Sequence, residues 1–282
     1  MGINLEPSSA ICGATITGID LSENLTEIQI GELRAQWLTH KVIAFPDQKL
    51  SNEDLERITG YFGGFGEDPF FGPIDGSNNI AAIQRNADET TPVFASVFHT
   101  DWSFLDIPPA GTLLYGLKIP PVGGNTLFAD QVEAYKRLPD HLREQADDLI
   151  GVHSAQLGYS KEGAYGDKDQ ESGRSMNIRP SDKALEECEH PFVRVHPETG
   201  EKALYSSLAY IIRFKDKTPE ESQLLLMEYY RQQTADEIVY SHKWEKDMLV
   251  IWDNRSTLHS ATGGYDGYDR LLHRTTIADT RF

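Results

Sequence analysis

The distribution of apolar residues predicts a protein built mainly from short β-strands. From about residue 78 onward, β-type runs alternate with turn residues such as Gly, Pro and Asp; they are NIAAIQ, ASVFHTDWSF, GTLLYGLKI, NTLFAD, FVRVHPETGEKALYSS, DMLVIWDN and RLLHRTTIAD. Many short strands separated by turn signals are typical of an antiparallel barrel or a jelly roll. The expected fold is therefore mainly β.

Four segments have helical spacing of their apolar positions instead. Near the start, a strand in ICGATITGIDLS precedes the helix EIQIGELRAQWLTH, and a strand in KVIAFPD precedes SNEDLERITGYF, for which Ser51 is the expected N-cap. Later, QVEAYKRLPDHLREQADDLI and TPEESQLLLMEYYRQQ read as amphipathic helices. We expect these helices to lie on the outside of the barrel.

The chain shows no internal repeat and no Pro/Ser/Gly-rich linker, which predicts a single domain over residues 1–282. One stretch, residues 158–187, is polar and Gly-rich with little periodicity. Long segments of this kind are either lids over a site or plain surface loops, and the sequence leaves both interpretations open.

Charge and cysteine content narrow the class of protein. With 44 acidic and 26 basic residues the formal net charge is −18, which disfavours nucleic acid and anionic membrane surfaces as partners. Cys12 and Cys188 are far apart and form no disulfide framework or thiolate zinc motif. No long apolar stretch or leader pattern is present, so we expect a cytoplasmic protein, with a homo-oligomer left open.

Candidate metal ligands occur in the run VFHTDWSF. His99 and Asp101 are two positions apart, so on a strand their side chains would share one face. A second imidazole, His259 in WDNRSTLH, would complete the 2-His-1-carboxylate set that binds Fe(II) and leaves coordination positions open. The remaining histidines lie in polar or helical contexts and are expected at the surface or at caps; they are His40, His141, His153, His190, His196 and His242.

Two arginines near the C-terminus indicate an anion site. Arg270 and Arg274 are four positions apart in RLLHRTTI and so share a strand face, while His273 points the other way and is expected to be structural. Two guanidiniums facing a barrel interior need an anion, and a dicarboxylate co-substrate would supply it. The turn-rich GGYDGYD before them predicts that the last two strands form a hairpin.

Together these stretches resemble the taurine dioxygenase-like (TauD/TfdA) family of Fe(II)/2-oxoglutarate-dependent dioxygenases, over essentially the whole chain. The matching motifs occur in one order: GATITGIDLS, HTDWSF, PPAGTLLYG, GGNTLFAD, HPETGEKALY, WDNRSTLH and RLLHRTTI. The resemblance implies an oxidoreductase with the double-stranded β-helix fold, a jelly roll or cupin-like barrel. It also implies that the enzyme hydroxylates a C–H bond with O2 and 2-oxoglutarate and releases succinate and CO2.

The resemblance also assigns roles to individual residues. By this correspondence the iron ligands are His99, Asp101 and His259. Thr126 and Arg270 correspond to the residues that hold the far carboxylate of 2-oxoglutarate, and Arg274 corresponds to an arginine near the co-substrate and the substrate anion.

The expected substrate pocket departs from that of taurine dioxygenase. Asp68 aligns with a histidine that helps to bind the sulfonate, and Phe71 with a nearby tyrosine. A carboxylate at this position would repel a sulfonate or attract a cationic end, unless Asp68 is merely an exposed loop acid. We therefore expect a small anionic organic substrate, with its anion at Arg274 and an apolar body against Phe71, Phe98 and Tyr210. Taurine or another alkylsulfonate is the alternative.

Two other classes of protein remain to be separated from the oxygenase. A non-catalytic binding jelly roll would need the ligand set to be accidental. A zinc hydrolase of the same shape would need a base that activates water and would leave the two arginines without a use. An iron assay and 2-oxoglutarate-dependent succinate release distinguish both from the oxygenase.

Overall fold

The computed structural model describes residues 3–280. The α-helices in this range are α1 Glu27–His40, α2 Asn52–Phe62, α3 Gln131–Arg137, α4 Asp140–Asp148, α5 Gln156–Tyr159, α6 Asp167–Glu171 and α7 Pro219–Gln233, with 3-10 helices at Asp182–Leu185 and Asp236–Ile238. Within the described residues, no helix is both long enough and apolar enough to span a bilayer.

Short strands make up most of the remaining regular structure. They are β1 Asn4–Pro7, β2 Ala14–Thr17, β3 Val42–Phe45, β4 Ala81–Arg85, β5 Gly111–Lys118, β6 Thr126–Asp130, β7 Ile150–His153, β8 Cys188–Pro191, β9 Val193–Val195, β10 Lys202–Leu204, β11 Ile211–Phe214, β12 Val239–His242, β13 Leu249–Asp253, β14 Thr257–Ala261 and β15 Arg270–Ile277. The prediction of a mainly β protein with added helices is confirmed.

Two sheets form the body of the protein. The larger has seven strands in the order β1-β2-β3-β13-β5-β15-β4, and the smaller has three in the order β12-β6-β14. Strands β2 and β3 pair in parallel, whereas the other pairs in these sheets are antiparallel. The sheets pack through rings such as Phe128 on β6 and Trp252 on β13, whose centroids are 5.5 Å apart. The site described below lies between these two sheets.

Strand β13 shows how the sequence pattern divides the core. All five of its residues are buried. Val250 and Trp252 belong to the apolar cluster between the sheets, while Leu249 and Ile251 pack with residues of α1 and α2 on the outer face. Because successive strand side chains point to opposite faces, a strand covered on both faces is apolar throughout.

Both N-terminal helices begin at capping boxes. Thr26 caps α1 and Ser51 caps α2, and in each the third helical residue returns a bond to the cap backbone. The expected cap at Ser51 is thus confirmed. These caps satisfy amide groups that would otherwise lack partners at the helix start.

Two expectations about connectivity were wrong. The segment 131–150 was expected to be one helix, but it is two, because Pro139 separates α3 from α4 and has no amide hydrogen for a helical bond. The last two strands were expected to form a hairpin, but β14 pairs with β6 and β15 pairs with β4 and β5. Residues 262–269 therefore cross from one sheet to the other.

Several histidines expected at the surface are buried. His153, His190, His196 and His242 are at most 4% exposed. Each has a polar neighbour in the interior: for example, the His196 ring lies 3.0 Å from the Asp253 carboxylate. The polar sequence context did not predict this burial, and for His153 and His196 the partners, Ser103 and Asp253, come from distant segments.

Candidate functional site

His99 and His259 are brought together by backbone pairing between segments that are distant in sequence. The His99 amide donates to the His259 carbonyl at 3.0 Å, and the His259 amide donates to the His99 carbonyl at 2.7 Å. This isolated antiparallel bridge places the ring centroids 4.2 Å apart. The smaller sheet thus supplies one imidazole, and the chain entering the barrel supplies the other.

A turn of the backbone places Asp101 next to the two imidazoles. The segment was expected to be a strand, but extended pairing stops at the His99 bridge, and residues 101–104 form a turn in which Trp102 has φ 50°. The turn brings Asp101 Oδ1 to 3.7 Å from Nε2 of both His99 and His259. One ligand atom from each of these three residues lies within 4.8 Å of the others.

The chemistry of these donors fits a divalent metal ion. Burial lowers the pKa of His99, and burial together with the neighbouring His99 lowers the pKa of His259 to about 3, so both rings are neutral near pH 7. The Nδ1 atom of His99 lies 2.8 Å from the Val97 carbonyl. A carbonyl accepts only from an N–H, so Nδ1 carries the hydrogen and Nε2 keeps the lone pair that a metal needs.

A hydrogen-bonded chain fixes the Asp101 carboxylate. Thr112 donates to Oδ2 at 2.5 Å, Asn254 donates to the Thr112 hydroxyl at 3.0 Å, and Trp252 donates to the Asn254 side chain at 2.9 Å. Oδ2 is therefore engaged, while Oδ1 faces the two imidazoles. The arrangement favours a carboxylate that binds metal through one oxygen.

We expect Thr112→Val to weaken iron binding. The substitution keeps the side-chain shape but removes the donor to Asp101, and losing such an outer hydrogen bond typically costs about 10- to 100-fold in metal affinity. Iron affinity measured by competition with a chelator checks this. Thr234→Val is the matched control because, among the described residues, the Thr234 hydroxyl donates to the helical carbonyl of Tyr230, at 2.7 Å, and not to a candidate metal ligand. Equal iron affinities in the two variants would contradict the assigned role.

A cavity of about 60 Å³ opens beside the three ligand residues. Thr126, Arg270 and Arg274 line it, so the structure places all three predicted anion-binding residues at the site. The two arginines share one face of β15 and are 6% and 5% exposed. Strand β15 thus carries two buried cations to the metal-binding side of the barrel.

Arg270 faces no carboxylate in the described chain. Its contacts are a long bond to the Gly124 carbonyl at 3.4 Å and the rings of Trp244 and Tyr265, about 6 Å from the guanidinium carbon. Its Nε is buried without a hydrogen-bond partner among the described residues. Burial lowers its pKa. An uncompensated guanidinium in a cavity fits the far carboxylate of a dicarboxylate such as 2-oxoglutarate.

Thr126 is placed to bind the same far carboxylate. Its hydroxyl oxygen accepts a hydrogen bond from the indole of Trp244 at 2.9 Å. The hydroxyl hydrogen is then free to donate into the cavity. Because Trp244 also lies against Arg270, one aromatic ring positions both candidate carboxylate-binding groups.

Arg274 already has a counter-charge, contrary to the expectation that the substrate must supply one. Its Nη2 donates to Asp68 Oδ2 at 2.6 Å. Burial raises the pKa of Asp68 against the opposing effect of Arg274, while Asp68 and Asp101 raise the pKa of Arg274 against its own burial. Asp68 is therefore not an exposed loop acid; its side chain is 22% exposed.

The three predicted aromatic substrate contacts occupy different positions. Tyr210 lines a second cavity beside the first, with its ring centroid 6.1 Å from that of His99. The Phe71 ring centroid lies 4.4 Å from the guanidinium carbon of Arg274, and Phe71 lines neither cavity. Phe98 lines neither cavity.

The second cavity is an apolar groove of about 230 Å³ that leads outward from the metal-binding residues. It shares four residues with the inner cavity, namely Phe94, Ala95, His99 and Tyr159. The remaining wall is uncharged and includes Val97, Leu157, Ala164 and Leu208. Sequence reasoning missed Phe94, Tyr159 and Leu208, because they lie in loops or short helices that have no periodic pattern.

Residues of the segment 158–187 line both cavities. Tyr159, Arg174 and Met176 line the inner one, and Tyr165 lines the groove. Hydrogen bonds hold the segment to the rest of the protein near residues 175–178. The Ser175 amide donates to Glu89 at 2.9 Å, and the Gly72 amide donates to the Asn177 carbonyl at 2.9 Å. Its position suits a lid, and its opening stays a prediction.

Comparison with known proteins identifies the family. The sequence profile of the "Taurine catabolism dioxygenase TauD, TfdA family" matches residues 4–276. The chain belongs to this family. The prediction from the sequence motifs is confirmed, and so is the enzyme class, since the family consists of dioxygenases.

Individual relatives cover nearly the whole chain. An alkylsulfatase of Acinetobacter baylyi is 34% identical over 276 residues, which are 94% of this chain and 82% of the relative. An alpha-ketoglutarate-dependent sulfate ester dioxygenase of Pseudomonas putida is 31% identical over 277 residues, 98% of this chain and 89% of the relative.

A solved structure supports the fold assignment. The crystal structure of a taurine dioxygenase from Burkholderia xenovorans superposes with a TM-score of 0.79 at 31% identity, covering 98% of this chain and 90% of that one. This likeness confirms the predicted double-stranded β-helix.

Proposed function

We propose that this dioxygenase hydroxylates a C–H bond of a small anionic organic compound, using Fe(II), 2-oxoglutarate and O2 and releasing succinate and CO2. The observation that carries the proposal is the meeting of two kinds of group in one buried cavity. His99, Asp101 and His259 converge there, and Arg270 faces them without a carboxylate partner among the described residues. The first set suits Fe(II), and the second suits a dicarboxylate.

Each residue has a physical task in this scheme. His99, Asp101 and His259 hold the metal through two neutral imidazoles and one carboxylate oxygen. Arg270 and the Thr126 hydroxyl hold the far carboxylate of 2-oxoglutarate, which fixes its reactive end toward the metal. When bound, the iron supplies the activation of O2 that oxidises the substrate. The apolar walls exclude water from this reaction.

The groove supports an apolar body for the substrate. It starts at His99, and its lining includes no Asp, Glu, Lys or Arg. A substrate with its charged end in the inner cavity could therefore place hydrocarbon along Leu157 and Leu208. Relatives named for alkyl sulfates, sulfate esters and phenoxypropionate are consistent with a charged head on an apolar body.

The two alternative classes lack support from the site. A non-catalytic binding function would not explain why three metal-binding side chains converge beside Arg270, which has no carboxylate partner in the described chain. A zinc hydrolase needs a base beside the metal, and apart from Asp101 the only carboxylate lining the inner cavity of the described chain is Glu89. Glu89 is already bonded to Ser175 and Thr91, so it is not available to accept a proton from water.

The proposal predicts substrate-stimulated succinate release that favours apolar compounds over taurine. Aryl and alkyl carboxylates or apolar amino acids should exceed taurine at least about tenfold in kcat/KM, since two buried methylenes alone contribute about 1.6 kcal/mol. Leu208→Asp should reduce this preference, and Ile28→Asp, on the distant helix α1, should not. Efficient taurine turnover by the wild type would contradict the proposed preference for apolar substrates and would leave the assignment of the iron site unchanged.

Three broader expectations remain part of the proposal. A cytoplasmic location is supported by the two cysteines, which are both free thiols. Cell fractionation tests the location, and sedimentation tests whether the protein forms a homo-oligomer. Limited proteolysis tests whether residues 1–282 behave as a single domain.

A further inference from the structure

Three tyrosines line the groove beside the metal-binding residues, namely Tyr159, Tyr165 and Tyr210. The Tyr210 ring centroid lies 6.1 Å from that of His99, and the ring centroids of Tyr159 and Tyr165 are 5.4 Å apart. Tyr159 also lines the inner cavity. These three residues, the tyrosine cluster, thus lie where the groove meets the inner cavity. A substrate that extends from the cavity into the groove passes them.

One hydrogen bond joins two hydroxyl groups of the tyrosine cluster. Burial raises the pKa of both Tyr159 and Tyr210, and the bond between their hydroxyls adds to this rise for Tyr159 but opposes it for Tyr210. A hydrogen bond favours ionisation of its acceptor and opposes ionisation of its donor, so Tyr159 donates and Tyr210 accepts. The hydroxyl hydrogen of Tyr210 is then left to donate to a ligand in the groove that this residue lines.

Tyr165 offers a second hydroxyl hydrogen. Its oxygen accepts a hydrogen bond from the Ala95 amide at 3.0 Å. Its ring centroid lies 4.7 Å from that of Phe94 and 5.3 Å from the guanidinium carbon of Arg174. These contacts fix the position of the oxygen and leave its hydrogen free. The tyrosine cluster therefore presents two donors, one from Tyr165 and one from Tyr210.

The surroundings of these donors indicate what they bind. Tyr210 is 6% exposed, and a buried donor without an acceptor is unfavourable, so an acceptor on the substrate would stabilise the site. The groove around the cluster is otherwise mostly apolar, and its lining includes no Lys or Arg. Because burying an anion without a cation is costly, a neutral oxygen suits these donors better than a charged one.

We propose that the tyrosine cluster determines specificity by donating hydrogen bonds to a neutral oxygen atom within the apolar body of the substrate. This inference rests on the proposed function and specifies its substrate class. The anionic substrate then carries an ether, ester or keto oxygen in the hydrocarbon part that enters the groove. The same hydrogen bonds fix which carbon atom of the substrate lies nearest to the metal-binding residues.

Moving one oxygen atom along a chain of constant length tests the inference. The probes are octanoate and the five acids in which one methylene of octanoate, at positions 3 to 7, is replaced by an ether oxygen. Their affinities are measured without turnover, from the perturbation of the iron-to-2-oxoglutarate charge-transfer band under anaerobic conditions. In the wild type, the oxygen at one position or at two neighbouring positions should meet the donors. Those acids should bind on the order of tenfold more tightly than the other ether acids, whose oxygen is buried without a donor.

Variants that lack one hydroxyl connect this preference to the tyrosine cluster. Tyr210→Phe and Tyr165→Phe should each lower the preference several-fold and leave octanoate affinity close to that of the wild type, because the ring remains. A purely structural role of the hydroxyls would instead weaken octanoate and every ether acid by the same factor. Tyr268→Phe is the matched control, because Tyr268 is exposed and lines neither cavity.

The possible results separate this inference from the proposed function. Equal affinities of the wild type for all five ether acids, with the charge-transfer band intact, overturn the inference alone. An unchanged preference in both Tyr210→Phe and Tyr165→Phe also overturns it. If the band forms but no acid of the series perturbs it, the proposed class of substrate fails and the inference fails with it. Absence of the band in the wild type before any substrate is added overturns the proposed iron and 2-oxoglutarate chemistry as well.

Discussion

The Asp101→Ala and His99→Ala variants are expected to show no metal-to-ligand charge-transfer band with Fe(II) and 2-oxoglutarate and no substrate-stimulated succinate release. Oδ1 of Asp101 lies 3.7 Å from Nε2 of both His99 and His259. Asp101 is the one carboxylate among the three candidate ligands, so it supplies their only negative charge. Removing it leaves two neutral imidazoles. The loss of iron affinity should exceed the loss of about 10- to 100-fold that is typical when a hydrogen bond to a metal ligand is removed.

His273→Ala is the matched control for the ligand variants. His273 is on the same strand as Arg274, but its Nδ1 lies 2.9 Å from the Asn52 side chain, outside the cavity. It should keep the band and wild-type iron affinity. Anaerobic absorption spectra and chelator competition give both readouts. Wild-type iron affinity and an intact band in both ligand variants would show that the ligands are wrongly assigned.

The Arg270→Ala variant is expected to lose about 2 to 5 kcal/mol of 2-oxoglutarate affinity, the range for truncating one partner of a buried charge pair. The reason is that Arg270 lines the inner cavity and has no carboxylate partner in the described chain. The co-substrate therefore supplies the negative charge that balances its guanidinium. Iron affinity should stay close to that of the wild type, because no ligand changes. Titration of the charge-transfer band with 2-oxoglutarate measures the first quantity, and chelator competition measures the second.

Two further variants sharpen the test of Arg270. Arg270→Lys keeps the charge but not the planar pair of donors, so it should recover only part of the lost affinity. Arg213→Ala removes a surface arginine that pairs with Glu187 at 2.8 Å and should leave 2-oxoglutarate affinity unchanged. If Arg270→Ala responded to 2-oxoglutarate like Arg213→Ala, another residue would have to hold the far carboxylate.

The sequence by itself determined the class of fold and predicted the candidate metal-binding and anion-binding residues. Apolar β-type runs between turn residues predicted β5, β6, β13 and β15 close to their observed bounds, because a strand buried on one or both faces has a local pattern. The spacing of Arg270 and Arg274 predicted a shared strand face for the same reason. The ordered motifs identified the family and, through it, the candidate iron ligands.

Only the tertiary structure decided how those residues meet. Asp101 reaches the histidines through a turn, Phe98 lines neither cavity, and β14 and β15 belong to different sheets. The Asp68–Arg274 pair joins residues separated by 206 positions. Local patterns encode which face of an element is buried, whereas such contacts depend on how distant segments pack, and no periodicity within either segment records them.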